Sequence, residues 1–182
     1  MLMTDPNGLF MKDYESSFVD RTFISIRKSL VAFDCLKSLE GVVRLVAYKF
    51  DSSGLLVERV VHSLDRCPES YGLAANFQQI FIVGGLVNQE CSKQVLSVKL
   101  EKFGTLEEWT DPSGNQVDLM FERVSPAVKA TDTHLVVAGG LSNQSNWVSF
   151  VEVFSLKEAK RTHLVNMHCA SLGGELSILP TT

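Results

Sequence analysis

Helical periodicity is nearly absent from this chain, and so are several other signals that would narrow its chemistry. No apolar run approaches the ~18 residues that a membrane-crossing helix requires. No block of lysine and arginine marks a nucleic-acid footprint, and the formal charge of −4 points the same way. The opening residues Met1 to Pro6 lack the charged-then-apolar order of a signal peptide. The four cysteines (Cys35, Cys67, Cys91, Cys169) are scattered, with no Cys-x-x-Cys pair, so neither a zinc site nor a disulfide framework is signalled. Reduced thiols in a cytoplasmic or nuclear protein, with no membrane and no nucleic-acid partner, are the expectation.

Catalytic and cofactor motifs are missing as well. His62, His134, His163 and His168 have no ligand spacing. There is no Gly-x-Ser-x-Gly elbow. The glycine pairs do not follow the order of a dinucleotide or phosphate-binding loop. Acidic pairs such as Asp65/Glu69, Glu107/Glu108 and Asp118/Glu122 fall in turn-rich stretches that suit solvated loops. Cys91 has no base beside it in sequence, which makes it a plain loop thiol. No metal, no cofactor and no enzymatic activity are expected.

What the chain does have is strands. Its 182 residues, 45% hydrophobic and 21% charged, suit one soluble globular domain with a real core. Val42 to Phe50 is rich in β-branched and aromatic residues; it runs into the turn signal Asp51-Ser52-Ser53-Gly54 and then into Leu55 to Val61, which predicts a hairpin. The same grammar recurs at Val95–Leu100 with Thr105–Trp109, and at Val148–Leu156 with Arg161–Val165. Phe23 to Ile26 and Leu30 to Phe33 also read as strands.

The chain also repeats itself. Gly84-Gly85-Leu86-Val87-Asn88-Gln89 returns as Gly139-Gly140-Leu141-Ser142-Asn143-Gln144, 55 residues on. Each copy follows a short apolar run, Ile80 to Val83 or Leu135 to Ala138. A period of this length indicates an array of similar units. Tyr48, Val98 and Phe154 fall in register on the third strand of successive units, and Tyr71–Asn76 matches Arg123–Ala130 ahead of each Gly-Gly strand. Each unit therefore has about four antiparallel strands in up-and-down order.

This pattern resembles the kelch repeat: an apolar strand ending in Gly-Gly (Gly84-Gly85, Gly139-Gly140), a polar loop, a strand with an aromatic (Tyr48, Phe154), then a tryptophan after a short turn (Trp109). Met120-Phe121-Glu122-Arg123 looks like that family's Met-x-x-Arg lead-in. Val98 stands where the family prefers tyrosine, and Arg161 is read at the tryptophan position of the last full unit. The resemblance implies an all-β fold of kelch-type β-propeller blades, each of four antiparallel strands. The units are an N-terminal segment 1–17, a degenerate first blade 18–66, kelch-like blades 67–119 and 120–168, and the start of a further truncated unit at 169–182. About three blades plus part-units make an incomplete propeller, since closed rings use about 4–8. The glycine pairs are expected where innermost strands crowd together, and the aromatics are expected in the seams between blades.

As to function, the resemblance implies a protein–protein interaction scaffold, either a ubiquitin ligase adaptor's substrate-binding part or an actin-binding one. Ligase adaptors of that family carry a BTB domain that has no counterpart here, so such a role would belong to a larger adaptor. The alternative is a fragment or degenerate relative of a kelch-fold enzyme, of the sialate epimerase or galactose oxidase type. The candidate partner-binding residues are Asn88, Gln89, Asn143 and Gln144, in matching loops, and Trp147, an aromatic in a polar loop. Turn chemistry is the competing role for the Asn-Gln pairs.

Overall fold

The computed structural model describes residues 69–99, 107–143 and 146–167 in full, together with Ser53 and the placement of four strands nearer the N-terminus. It is an all-β chain. The strands are β1 (Ser17–Ile26), β2 (Ser29–Lys37), β3 (Val43–Phe50), β4 (Leu56–Leu64), β5 (Gly72–Ala75), β6 (Gln79–Val83), β7 (Leu86–Val87), β8 (Glu90–Cys91), β9 (Val95–Lys99), β10 (Glu107–Glu108), β11 (Ala127–Ala130), β12 (His134–Ala138), β13 (Phe150–Ser155) and β14 (Lys160–Asn166).

They form three four-stranded antiparallel meanders: β1-β2-β3-β4, β5-β6-β9-β10 and β11-β12-β13-β14. The short hairpin β7-β8 is inserted between β6 and β9. No closed sheet is formed among the described residues. Hairpin reading of the sequence places β3 against β4, β9 against β10 and β13 against β14, and all three pairs are antiparallel in the structure.

The 55-residue period is visible atom by atom. Glu69 bridges Leu86, and Val124 bridges Leu141. Ser70 and Ser125 both take positive φ, at 54° and 48°. Asn76 N–H donates to Gln79 O, and Thr131 N–H donates to His134 O. The two equivalent turns also touch, because Asn76 Nδ2 donates to Thr131 O at 3.1 Å. Local hydrogen-bonding patterns are thus copied along with the residues.

The core lies between the second and third sheets. Phe81, Val83, Val95 and Trp109 from the second meet Leu135, Val137 and Phe154 from the third. Trp109 sits edge-on to both Phe81 and Phe154, with centroids 5.4 and 5.7 Å away, an arrangement that suits the ring quadrupoles. The second sheet is buried on both faces, since Ile80, Ile82, Leu96 and Val98 on its other side are equally closed off. β5 lies near both β11 and β1.

Register corrects one sequence assignment. Trp109 N–H donates to Val95 O, while Val151 pairs with Val165, 56 residues further along each strand. Val165 therefore holds the Trp109 position of the third sheet. Arg161 lies opposite Phe154, four residues earlier, beside a β-bulge that shifts the pairing.

Candidate functional site

The repeated loops gather at one end of the sheets, beyond β6 and β12. There the two glycine pairs adopt nearly identical geometry: Gly84 and Gly139 at φ 64° and 65°, Gly85 and Gly140 at 100° and 98°. Their close neighbour is a shared one. A Cβ on Gly84 would lie 2.5 Å from Arg123 O, and one on Gly140 would lie 2.6 Å from Val124 O. The glycines thus clasp the lead-in to the third sheet from both sides, whereas the sequence pointed to crowding among innermost strands. Gly85 N–H and Leu141 N–H donate to Arg123 O and Val124 O, completing the clasp.

Arg123 pins this lead-in from inside. Its side chain is fully buried, as is Glu152 on β13, and its Nη2 is ion-paired with Glu152 Oε1. Its Nη1 donates to Gly139 O at 3.1 Å. Glu152 Oε2 accepts from Met120 N–H at 2.8 Å and from Arg161 Nη1 at 2.8 Å. Burial pulls the Arg123 pKa down, and the neighbouring Glu152 carboxylate opposes that pull. Above this cluster Phe121 stacks on Phe150 at 4.9 Å. Glu152 escaped the sequence reading. The available signal was a lone carboxylate two residues before Phe154, on the same face of an otherwise apolar strand.

The two Gly-Gly-Leu-x-Asn-Gln loops do not fold alike. Leu86 pairs with Cys91, and Asn88-Gln89 form a two-residue turn with both φ positive, at 54° and 68°, the signature of a type I′ hairpin. Leu141 instead bridges Trp147, which leaves one more residue in the second loop. That insertion explains why the repeat spacing is 55 before the loops and 56 after them, as between Gly84–Gly139 and Val95–Val151. Asn88 and Gln89 are exposed at the turn tip. Asn143 is engaged between the loops, its Oδ1 accepting from Cys91 N–H at 2.6 Å. Gln144 lies outside the described residues, and so does the side chain of Tyr48, which is placed on β3. Burial and the nearby Glu122 carboxylate push the Cys91 thiol up, away from the thiolate that reactive chemistry would need.

Trp147 takes the place that Cys91 holds in the first loop, and it is 53% exposed. Met120, at 46%, is another exposed large apolar side chain, and its N–H is held by Glu152. The end therefore presents an aromatic and a thioether on a backbone fixed by bridges, glycine clasps and a buried ion-pair cluster. At the opposite end, a cleft of about 230 Å³ lined by Lys99, Glu107, Asp111 and Lys157 holds none of the candidate binding residues. Among the described residues, no group of three or more His, Cys, Asp or Glu side chains is placed to hold a metal ion. No family model and no curated protein matches the chain.

Proposed function

We propose that this chain is a protein-interaction module made of kelch-type blades in an incomplete propeller, acting by binding and not by catalysis. Its partner-binding surface is the Gly-Gly end, with Trp147 as the anchor and the Asn88-Gln89 turn beside it. The observation that carries this reading is the exposure of Trp147 on a loop whose backbone is held at Leu141 and Val148. A large aromatic kept in water on a rigid mount is the arrangement that binding hot spots use. Use as the substrate- or actin-binding part of a larger adaptor fits the same surface. Trp147→Ala should abolish partner capture in a pull-down and leave thermal unfolding unchanged. Undiminished capture by a folded Trp147→Ala protein would sink the proposal.

A further inference from the structure

The third sheet has two faces, and only one meets the second sheet. Glu152 and Phe154 are buried, whereas Val151, Val153 and Val136 are half-buried, and Val165 is 53% exposed. The repeat offset shows what this outer face is. Phe81, Val83, Val95 and Trp109 form the face with which the second sheet holds the third. Shifted by the 55- and 56-residue offsets, those positions become Val136, Ala138, Val151 and Val165. All four are apolar. The third sheet thus repeats, on its outer side, the packing face that its neighbour uses.

The matching counter-face is defined by the same register. It is the side marked by Phe154 opposite Leu135 in the third sheet and by Val98 opposite Ile80 in the second. In the first sheet the corresponding position is Tyr48, opposite Ala32. Among the described residues, the first and third sheets therefore carry the two halves of one more sheet-to-sheet junction.

We propose that the outer face of the third sheet is occupied by the first sheet of a second copy of this chain. Continuity with the existing interface between the second and third sheets carries the assignment. The two-fold partner makes the same contact in return, so each copy contributes one third-sheet face and one first-sheet face, the self-complementary arrangement of a symmetric dimer. Two sets of three sheets give a ring whose size lies within the ~4–8 blades that close. This surface is the outer face of the third sheet, and Trp147 is not among its four positions.

The test is sedimentation of the purified chain over a concentration series. The expected mass is twice 20.2 kDa. Val165→Glu, at an exposed position, should keep the melt of dilute, monomeric wild type and weaken the dimer by about thirtyfold or more, the size of a hot-spot loss. Tyr48→Glu should do the same from the other side. An equimolar mixture of the two variants should regain dimer, because one heterodimer junction is then wild type on both sides. A wild-type monomer at every concentration, an open ladder of larger masses, or an unchanged Val165→Glu dimer would each overturn the proposal. Trp147→Ala should dimerise normally, so loss of partner capture and loss of dimer report on different surfaces.

Discussion

Glu152 is the side chain on which the most depends. It is buried with two arginines on its two oxygens and a backbone N–H besides. Replacing it with alanine strands the Arg123 guanidinium in the interior without a counter-charge, a change that costs about 3–5 kcal/mol when one partner of a buried pair is lost. Equilibrium urea unfolding of Glu152→Ala should show that loss. The double variant Arg123→Met/Glu152→Leu should recover most of it, because the desolvated charge goes too; no recovery would mean the cluster matters for more than charge balance. Two surface aspartates act with opposite signs. Hydrogen bonds from the Asn115 side chain and backbone hold Asp111 below its ordinary 3.8, so its stabilisation is present above that pH and lost as pH falls through the lowered value. Burial and repulsion from Glu108 push Asp118 above 3.8, so its charged form opposes folding once pH rises through the raised value. Melts at neutral pH should therefore find Asp111→Asn less stable and Asp118→Asn more stable than wild type. Both differences should shrink in acid below 3.8, and a difference for either that persists there would refute the assignment.

Strands and their pairing were legible in the sequence because β-branched runs and turn residues alternate so regularly. Tyr71–Asn76 and Arg123–Ala130 both deliver a first strand, β5 and β11, where the repeat alignment places them. What sequence could not supply was register beyond an irregularity. The bulge at Val153/Phe154 moves β14 relative to β13, and counting along the chain then lands on Arg161 instead of Val165. The one-residue difference between the loops has the same effect on function: Asn88-Gln89 form a hairpin tip, whereas Asn143 clips the two loops together. The Gly-Gly half of the phrase was readable because positive φ and a carbonyl 2.5–2.6 Å from a would-be Cβ leave few other choices. The corrected register makes its own prediction. Trp109 and Val165 are equivalent positions, but Trp109 is 5% exposed and Val165 is 53%. Trp109→Ala should cost about 3–5 kcal/mol in chemical denaturation, as for other large aromatics cut from a core. Val165→Ala in dilute protein should stay within about 0.5 kcal/mol, as surface substitutions do. Equal losses would mean the outer face is covered as fully as the inner one.

From the second sheet to the third, burial falls off among the described residues, and stability should follow it. β6 and β9 lie in a sheet covered on both faces: Ile80, Phe81, Ile82, Val83, Val95 and Val98 are all within 1% of complete burial. β13 alternates between closed and half-open residues, and every residue of β14 is exposed. Among the described residues β14 is also bonded to a single neighbour, so its opening breaks one ladder, whereas opening β6 or β9 breaks two and uncovers the shared core. Local opening needs the least free energy where few apolar contacts and one ladder are lost, and approaches the global value where the core must part. Amide hydrogen exchange in dilute, monomeric protein should accordingly be slowest in β6 and β9, intermediate in β12 and β13, and fastest in β14. Glu152→Ala should narrow the gap between β13 and β14, because Glu152 joins the two strands through Arg161 and joins both to the lead-in through Arg123 and Met120. If β14 instead exchanges as slowly as β6 in the dilute monomer, the third sheet is closed on its outer side within a single chain. The second-copy junction would then have no face left to occupy.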